Sequence, residues 1–259
     1  MSVPLSVLQE LLTHELGLGV WPFFRIAGAL MVAPVFGAKL VPSRIRLAMS
    51  IAATIVVAPV LPAGPAFEMS LATALTVVRE VVLGVAMGFC LQMIFDALVI
   101  AGQTIAMGMG LGLAMMVDPQ RGVSVPVVSQ FFVVLGLLVF LSLGGHLATI
   151  RLLADSFQLL PIGASFSPDG VWSLVTWGGQ MFTGAVRVAL PAVTALLVVN
   201  IALGVMSRAA PTLNLFAVGL PAGLLVGFLV LMVNIGNLSS LIGDFLTSTL
   251  TAIGRMLAS

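Results

Sequence analysis

Charge is what this sequence has least of. Asp, Glu, Lys and Arg make up 7% of its 259 residues, 10 basic against 9 acidic, for a formal net charge of +1. A soluble domain carries about 25% charged residues, and less than a third of that supply cannot clothe a water-facing surface. A disordered chain needs high polarity or high net charge, so disorder is excluded as well. The near-neutral balance offers no basic footprint for nucleic acid. Cysteine occurs once, as Cys90, which excludes an intramolecular disulfide and a four-cysteine zinc site. His14 and His146 are the only histidines. Neither an H-E-x-x-H pair nor a phosphate loop with its Lys is present, so metal and nucleotide chemistry have no local support and no cofactor is expected.

What is abundant is apolar surface. Hydrophobic residues reach 60% and the mean hydropathy is +1.24. Glycine (27) and proline (14) are also frequent, and both are better tolerated in membrane helices than in soluble ones. The expectation is an all-α, polytopic membrane protein with long, bent helices interrupted by Gly and Pro. A single membrane domain covers 1–259. Residues 1–14 lack a basic n-region, so targeting by an uncleaved first segment is expected.

A span needs about 20 apolar residues. Residues 16–38 supply one, with Pro22 suited to a first turn and Pro34 placed to kink or end the helix. A shorter run covers 47–60, and the turn Leu61–Glu68 follows. The stretch 69–117 is too long for one span. It divides near Ala101–Gly102–Gln103 into a span over 77–100 and a short, protein-buried or re-entrant piece over 104–117. Residues 127–143 form a further span, and a polar connection covers 151–173. Runs at 177–206 and 213–233 precede a mildly amphipathic tail at 238–259. The total is six long helices and one or two short pieces. Lys39, Arg44, Arg46, Arg121 and Arg208 fall in links that can share the cytoplasmic side, with the amino terminus outside.

Charges inside apolar runs are expensive and face protein or water. Here they are Arg25, Arg79, Glu80, Asp96 and Arg187. Arg79 and Glu80 are neighbours, so on a helix they diverge by about 100° and each needs a partner elsewhere. Glu80, Gly84 and Gly88 share one helix face at i, i+4 and i+8, a packing stripe ending in a carboxylate. The alternating Gly108, Gly110 and Gly112 fit tight backbone contact or a bend. Met107, Met109, Met115 and Met116 accompany them. Methionine is adaptable packing material, so this stretch either fills a helix junction or makes a deformable seal around a passage.

In this order and spacing the residues resemble the FliR family of flagellar and type III secretion proteins. The resemblance runs from about Leu11 to Leu246. Arg25–Ile26–Ala27–Gly28, Pro34, Pro42 and Arg44 are similar to the family's opening helix and basic link. Glu80, Gly84 and Gly88 are similar to its glycine-lined third segment. Gly102–Gln103, the Gly/Met stretch and Asp118–Pro119 resemble its middle, and Gly145–His146 the end of its next segment. Pro191, Asn200, Gly204, Arg208, Pro211, Asn214, Gly219 and Pro221 resemble its carboxyl-terminal run, in which Thr212 stands where the pattern has Gln.

The resemblance implies a core subunit of the flagellar protein export gate, part of a helical, multi-subunit complex in the bacterial inner membrane at the basal body. It implies FliP-like and FliQ-like partners, FlhB-like and FlhA-like export components nearby, and contact with membrane lipids. Unfolded exported proteins would pass transiently, no nucleic acid is involved, and the subunit itself is not an enzyme. Residues of about 11–150 would be FliP-like and about 174–259 FliQ-like. The Gly/Met stretch becomes a candidate constriction. Arg25, Glu80, Gly84, Gly88, Asp118, Arg121, Arg208, Pro211 and Asn214 become candidate contacts between helices or subunits. The alternative is an independent secondary transporter of a small solute, with Arg25, Glu80, Asp96, Arg187 and Asn200 available for a midplane site.

Overall fold

Helix is the regular structure that this composition supports in an apolar medium, because each segment satisfies its own backbone. In the computed structural model, described for residues 5–37, 41–61, 64–65, 70–112, 126–164, 167–210 and 215–258, seven α-helices and one 3₁₀ turn occur and no strand. They are α1 (Leu5–Val32), α2 (Ser43–Val57), α3 (Leu71–Gly108), α4 (Val127–Ser142), α5 (Gly145–Leu159), α6 (Pro168–Ala209) and α7 (Leu215–Ala258). Four stretches among the described residues are long and apolar enough to cross a membrane: Ser43–Val60, Leu71–Gly108, Pro168–Ala209 and Val218–Ala258.

Surface chemistry agrees with that reading. On α2 the buried residues are Ser50, Thr54 and Val57, while Ile51, Ile55 and Val56 are exposed. A water-facing helix has the reverse pattern. The inward hydroxyls are satisfied within the helix: Ser50 donates to the Arg46 carbonyl and Thr54 to the Ser50 carbonyl.

The chain divides into two compact units. The first comprises Met1–Met93, Gly144–Gly178 and Leu246–Ser259, and the second Ile94–Leu143 and Gly179–Phe245. The first is cored by Trp21, Ile26 and Leu30 of α1, Leu83, Met87 and Leu91 of α3, and Leu153 and Phe157 of α5. The second is cored by Leu98 and Ile105 of α3, Phe132 of α4, Ala192 and Leu196 of α6, and Leu231 and Ile242 of α7.

Several boundaries differ from the sequence expectation. Pro22 lies inside α1, well past its first turn. Pro34 does act as a stop: α1 ends at Val32, and the Gly37 N–H closes on the Ala33 carbonyl at 2.8 Å. No break occurs at Ala101–Gly102–Gln103, because α3 runs through them. Gly102 is a contact point and not a hinge, for a Cβ there would overlap the Ser129 backbone. The helix ends instead at Gly108. The Gly110 N–H returns to the Met107 carbonyl, the Leu111 N–H to the Ala106 carbonyl, and Gly110 takes a φ of +82°. That is a Schellman stop, which needs a left-handed residue after the helix. Residues 104–108 are thus the end of α3, not a separate piece. The expected polar connection at 151–173 is largely helical, in α5 and the start of α6. The expected carboxyl-terminal tail is continuous with the apolar run before it, in α7.

Candidate functional site

The charged residues of the first apolar runs meet in the first unit. Arg25 of α1 and Glu80 of α3 are both fully buried, with the Arg25 Nε donating to Glu80 Oε2 at 2.6 Å. The Arg25 Nη1 donates to the Ser156 and Leu160 carbonyls at 3.0 Å each, closing over the end of α5, and to the Ser156 hydroxyl at 3.3 Å. The guanidinium carbon lies 4.1 Å from the Phe157 ring centroid, a cation–π distance. Glu80 Oε1 accepts the Gly163 N–H at 3.1 Å, and Arg79 Nη1 donates to the Gly163 carbonyl at 3.4 Å. The two diverging neighbours Arg79 and Glu80 therefore hold the two backbone groups of one residue. Gly163 has a φ of +85°, which favours glycine at the clamp. One Arg25 nitrogen, Nη2, is buried without a hydrogen-bond partner among the described residues.

Glycines let the two helices approach closely enough for this pairing. A Cβ on Gly84 would collide with the Arg25 carbonyl oxygen, and one on Gly88 with the Ala29 carbonyl oxygen. From the other side, a Cβ on Gly28 would stand 2.6 Å from the Val81 carbonyl oxygen. Arg25, Glu80, Gly84 and Gly88 thus belong to one seam. Bulky side chains would separate the backbones and pull the carboxylate from the guanidinium. A buried ion pair of this kind fixes geometry more than it adds net stability, since desolvation offsets most of the attraction.

The Gly/Met stretch lies in the second unit. Met109 is 2% exposed, and a Cβ on Gly227 of α7 would press on its side chain. Met107 is 64% exposed. A cleft of about 450 Å³ is lined by Met107, Gly108 and Gly110, by Asn200 and Gly204 of α6, and by Gly219 and Gly223 of α7. A Cβ on Gly112 would stand 3.8 Å from the Met107 side chain. Glycines on three sides keep the walls thin and the backbone within reach of an occupant.

Arg208 is exposed near the end of α6. Met115, Met116, Asp118, Arg121, Pro211 and Asn214 lie outside the described residues. Sequence reasoning missed Ser156, Leu160 and Gly163 as partners of Arg25 and Glu80. Apart from the Ser156 hydroxyl, those contacts use backbone atoms, which leave no residue signature. Pro161 and Gly163 fell within the expected polar connection at 151–173 and drew no separate reading.

The family profile described as bacterial export proteins, family 1, matches residues 16–249. The chain is 37% identical to the flagellar biosynthetic protein FliR of Pectobacterium carotovorum subsp. carotovorum, over 92% of this chain and 90% of that protein. It is 36% identical to the FliR of Escherichia coli (strain K12), over 86% of each. With the FliR of Bacillus subtilis (strain 168) the identity is 28%, over 91% of this chain and 93% of that one.

Proposed function

This chain belongs to the bacterial export proteins, family 1, and from that premise we propose that it works with FliP-like and FliQ-like subunits to form the passage for unfolded flagellar proteins. It is a polytopic membrane protein and a core subunit of the flagellar type III export gate. The observation that carries this is the likeness to FliR proteins over 92% and 86% of the chain in two relatives. The membrane is the bacterial inner membrane, and the site is the basal body. FlhB-like and FlhA-like components are neighbours, and substrates pass transiently. The subunit is structural and catalyses no reaction.

Within the gate, residues Gly108, Gly110 and Gly112 with Met107, Met109, Met115 and Met116 form part of the constriction. Methionine suits it, because a flexible, polarisable side chain seals against small ions and yields to a polypeptide. Asp118, Arg121, Arg208, Pro211 and Asn214 serve contacts between helices or subunits. The residues of about 11–150 take the FliP-like role and those of about 174–259 the FliQ-like role.

The test is a carboxyl-terminal tag, gentle extraction from native membranes, and mass spectrometry of every co-purifying chain. Stoichiometric FliP-like and FliQ-like chains are the expected result. A homogeneous particle of this chain alone overturns the gate reading and favours an independent solute transporter.

A further inference from the structure

In the second unit α6 and α7 run antiparallel, for a Cβ on Gly219 would lie 3.3 Å from the Leu203 side chain and one on Gly184 would press on Phe245. The cleft of about 450 Å³ lies between these helices and the end of α3, walled by Gly108, Gly110, Gly204, Gly219 and Gly223. Gly204 serves no packing contact inside the chain, because a Cβ there would meet nothing within 4 Å. A helix interior favours alanine over glycine, so the fold of this chain gives no reason for glycine at that wall.

Two polar groups reach the cleft without a partner among the described residues. On the apolar stretch 188–207 of α6 the polar side chains are Thr194, Asn200 and Ser207. Thr194 and Ser207 bond back to carbonyls of their own helix at 2.8 Å each. Asn200 makes no such bond; it is exposed and lines the cleft. The second group is the Met109 carbonyl, just past the end of α3. It accepts no hydrogen bond among the described residues, and its oxygen would stand 3.4 Å from a Cβ on Gly223. The cleft thus offers hydrogen-bond donors and acceptors in apolar surroundings, where an unmet amide is costly. An acyl chain satisfies neither group. A regular helix of a neighbouring subunit has its own main chain paired internally. An extended polypeptide carries a free N–H and C=O at nearly every residue, and glycine walls let main chain approach main chain.

We propose that this cleft holds the main chain of the passing polypeptide, with the Asn200 carboxamide and the Met109 carbonyl as its hydrogen-bonding contacts. The inference rests on the export-gate reading and adds how the passage recognises its substrates. Main chain is what unfolded proteins of every sequence share, so contact through it does not select among them. A single net hydrogen bond is weak enough to break as the chain advances.

The experiment stalls an exported protein in the gate by fusing its end to a stably folded domain. The linker before that domain carries one cysteine and is made in two unrelated sequences. The gate, assembled with its partners in native membranes, carries Leu220→Cys in the cleft or Leu190→Cys outside it, both exposed positions. Buried Cys90 sets the background. Under mild oxidation Leu220→Cys is expected to cross-link both linkers alike, at least about tenfold more than Leu190→Cys, because proximity raises the effective concentration of the two thiols. With Leu220→Cys present, Asn200→Leu is expected to lower that yield about two- to tenfold, the worth of one net hydrogen bond, and Asn200→Gln to keep it within about twofold. Asn200→Thr, able to bond back to its own helix as Thr194 does, is expected to repeat the loss without added apolar bulk. An unchanged yield in Asn200→Leu and Asn200→Thr overturns the main-chain contact, and so does a yield that follows one linker sequence and not the other. Cross-linking at Leu220→Cys no greater than at Leu190→Cys, in membranes where substrate is stalled, overturns the cleft as its seat and points to cover by a sister subunit. Wild-type particles that hold neither partner chains nor stalled substrate overturn the gate reading itself, so the two failures are told apart.

Discussion

The α1–α3 seam and the α6–α7 hairpin solve the same problem, two apolar helices side by side, in opposite ways. In the seam, glycines bring backbone onto backbone, and the ionic groups lie inside, paired and fully buried. In the hairpin, the would-be Cβ of Gly204 or Gly236 meets nothing within 4 Å, and Gln180, Arg187 and Asn237 lie outside. Glycine therefore means two things in one sequence. In the seam it is a spacing requirement. At these hairpin positions it leaves the surface open. Charge divides likewise, into a pair that fixes a helix crossing and arginines turned outward, Arg187 and Arg208.

The comparison is broken most severely at Glu80. Glu80→Leu leaves the Arg25 guanidinium buried without its carboxylate, at a cost of about 3–5 kcal/mol. It also frees the Gly163 N–H. The expected outcome is loss of the chain from membranes and a sharply lowered melting temperature in whatever protein accumulates. The double variant Arg25→Met, Glu80→Leu is expected to recover much of the loss, because an apolar pair of similar volume carries no desolvation cost. Recovery no better than the single variant would show that the pair does more than fix geometry.

Glycine substitutions sharpen the same contrast. Gly84→Ala drives a methyl into the Arg25 carbonyl, and backbone cannot step aside as a side chain can. Overpacking of this kind costs about 1–3 kcal/mol. Gly204→Ala, in open space within α6, is expected to be neutral or to gain about 0.5–1 kcal/mol, since alanine loses less freedom in a helix. Melting curves of the purified complex check both. Equal shifts in the same direction would mean that the seam relaxes freely and that its glycines are not spacers.

How much of this was legible in the sequence follows from which atoms make each contact. The stripe Glu80–Gly84–Gly88 was visible, because helical spacing alone places those residues on one face. Its partner run Arg25–Gly28 stood out only as an intramembrane charge and through the family resemblance, not as the partner of that stripe. The cage around Arg25 was not, because Ser156 lies 131 residues away and offers its carbonyl, an acceptor that every residue owns. Helix ends misled where composition was read as a break. Gly102 reads as a breaker but faces the Ser129 backbone. The polar run 234–240 reads as a terminus, yet Asn and Ser cost a helix only a few tenths of a kcal/mol each, and Asn234 bonds back to the Val230 carbonyl at 3.1 Å. Conversely, Gly110 gives a real stop through its positive φ.

The smallest effect on stability, and the most informative about the passage, is expected at Met107. Within the Gly/Met stretch the two described methionines differ. Met109 is 2% exposed and packed at Gly227, whereas Met107 is 64% exposed beside the glycine-lined cleft. Met109→Ala removes a buried side chain and is expected to cost about 2–5 kcal/mol, so any leak it causes is confounded by loosened packing. Met107→Ala removes an exposed side chain and is expected to stay within about 0.5 kcal/mol of the parent. Yet if Met107 helps seal the constriction, the assembled gate leaks more small ions once that side chain is gone. Ion-flux assays on reconstituted complex of unchanged subunit composition test this directly. Replacing Met107, Met109, Met115 and Met116 together by Ala should raise the leak further. A Met107→Ala complex as tight as the parent, followed by a quadruple variant that is equally tight, removes the methionines from the seal and leaves them as packing alone.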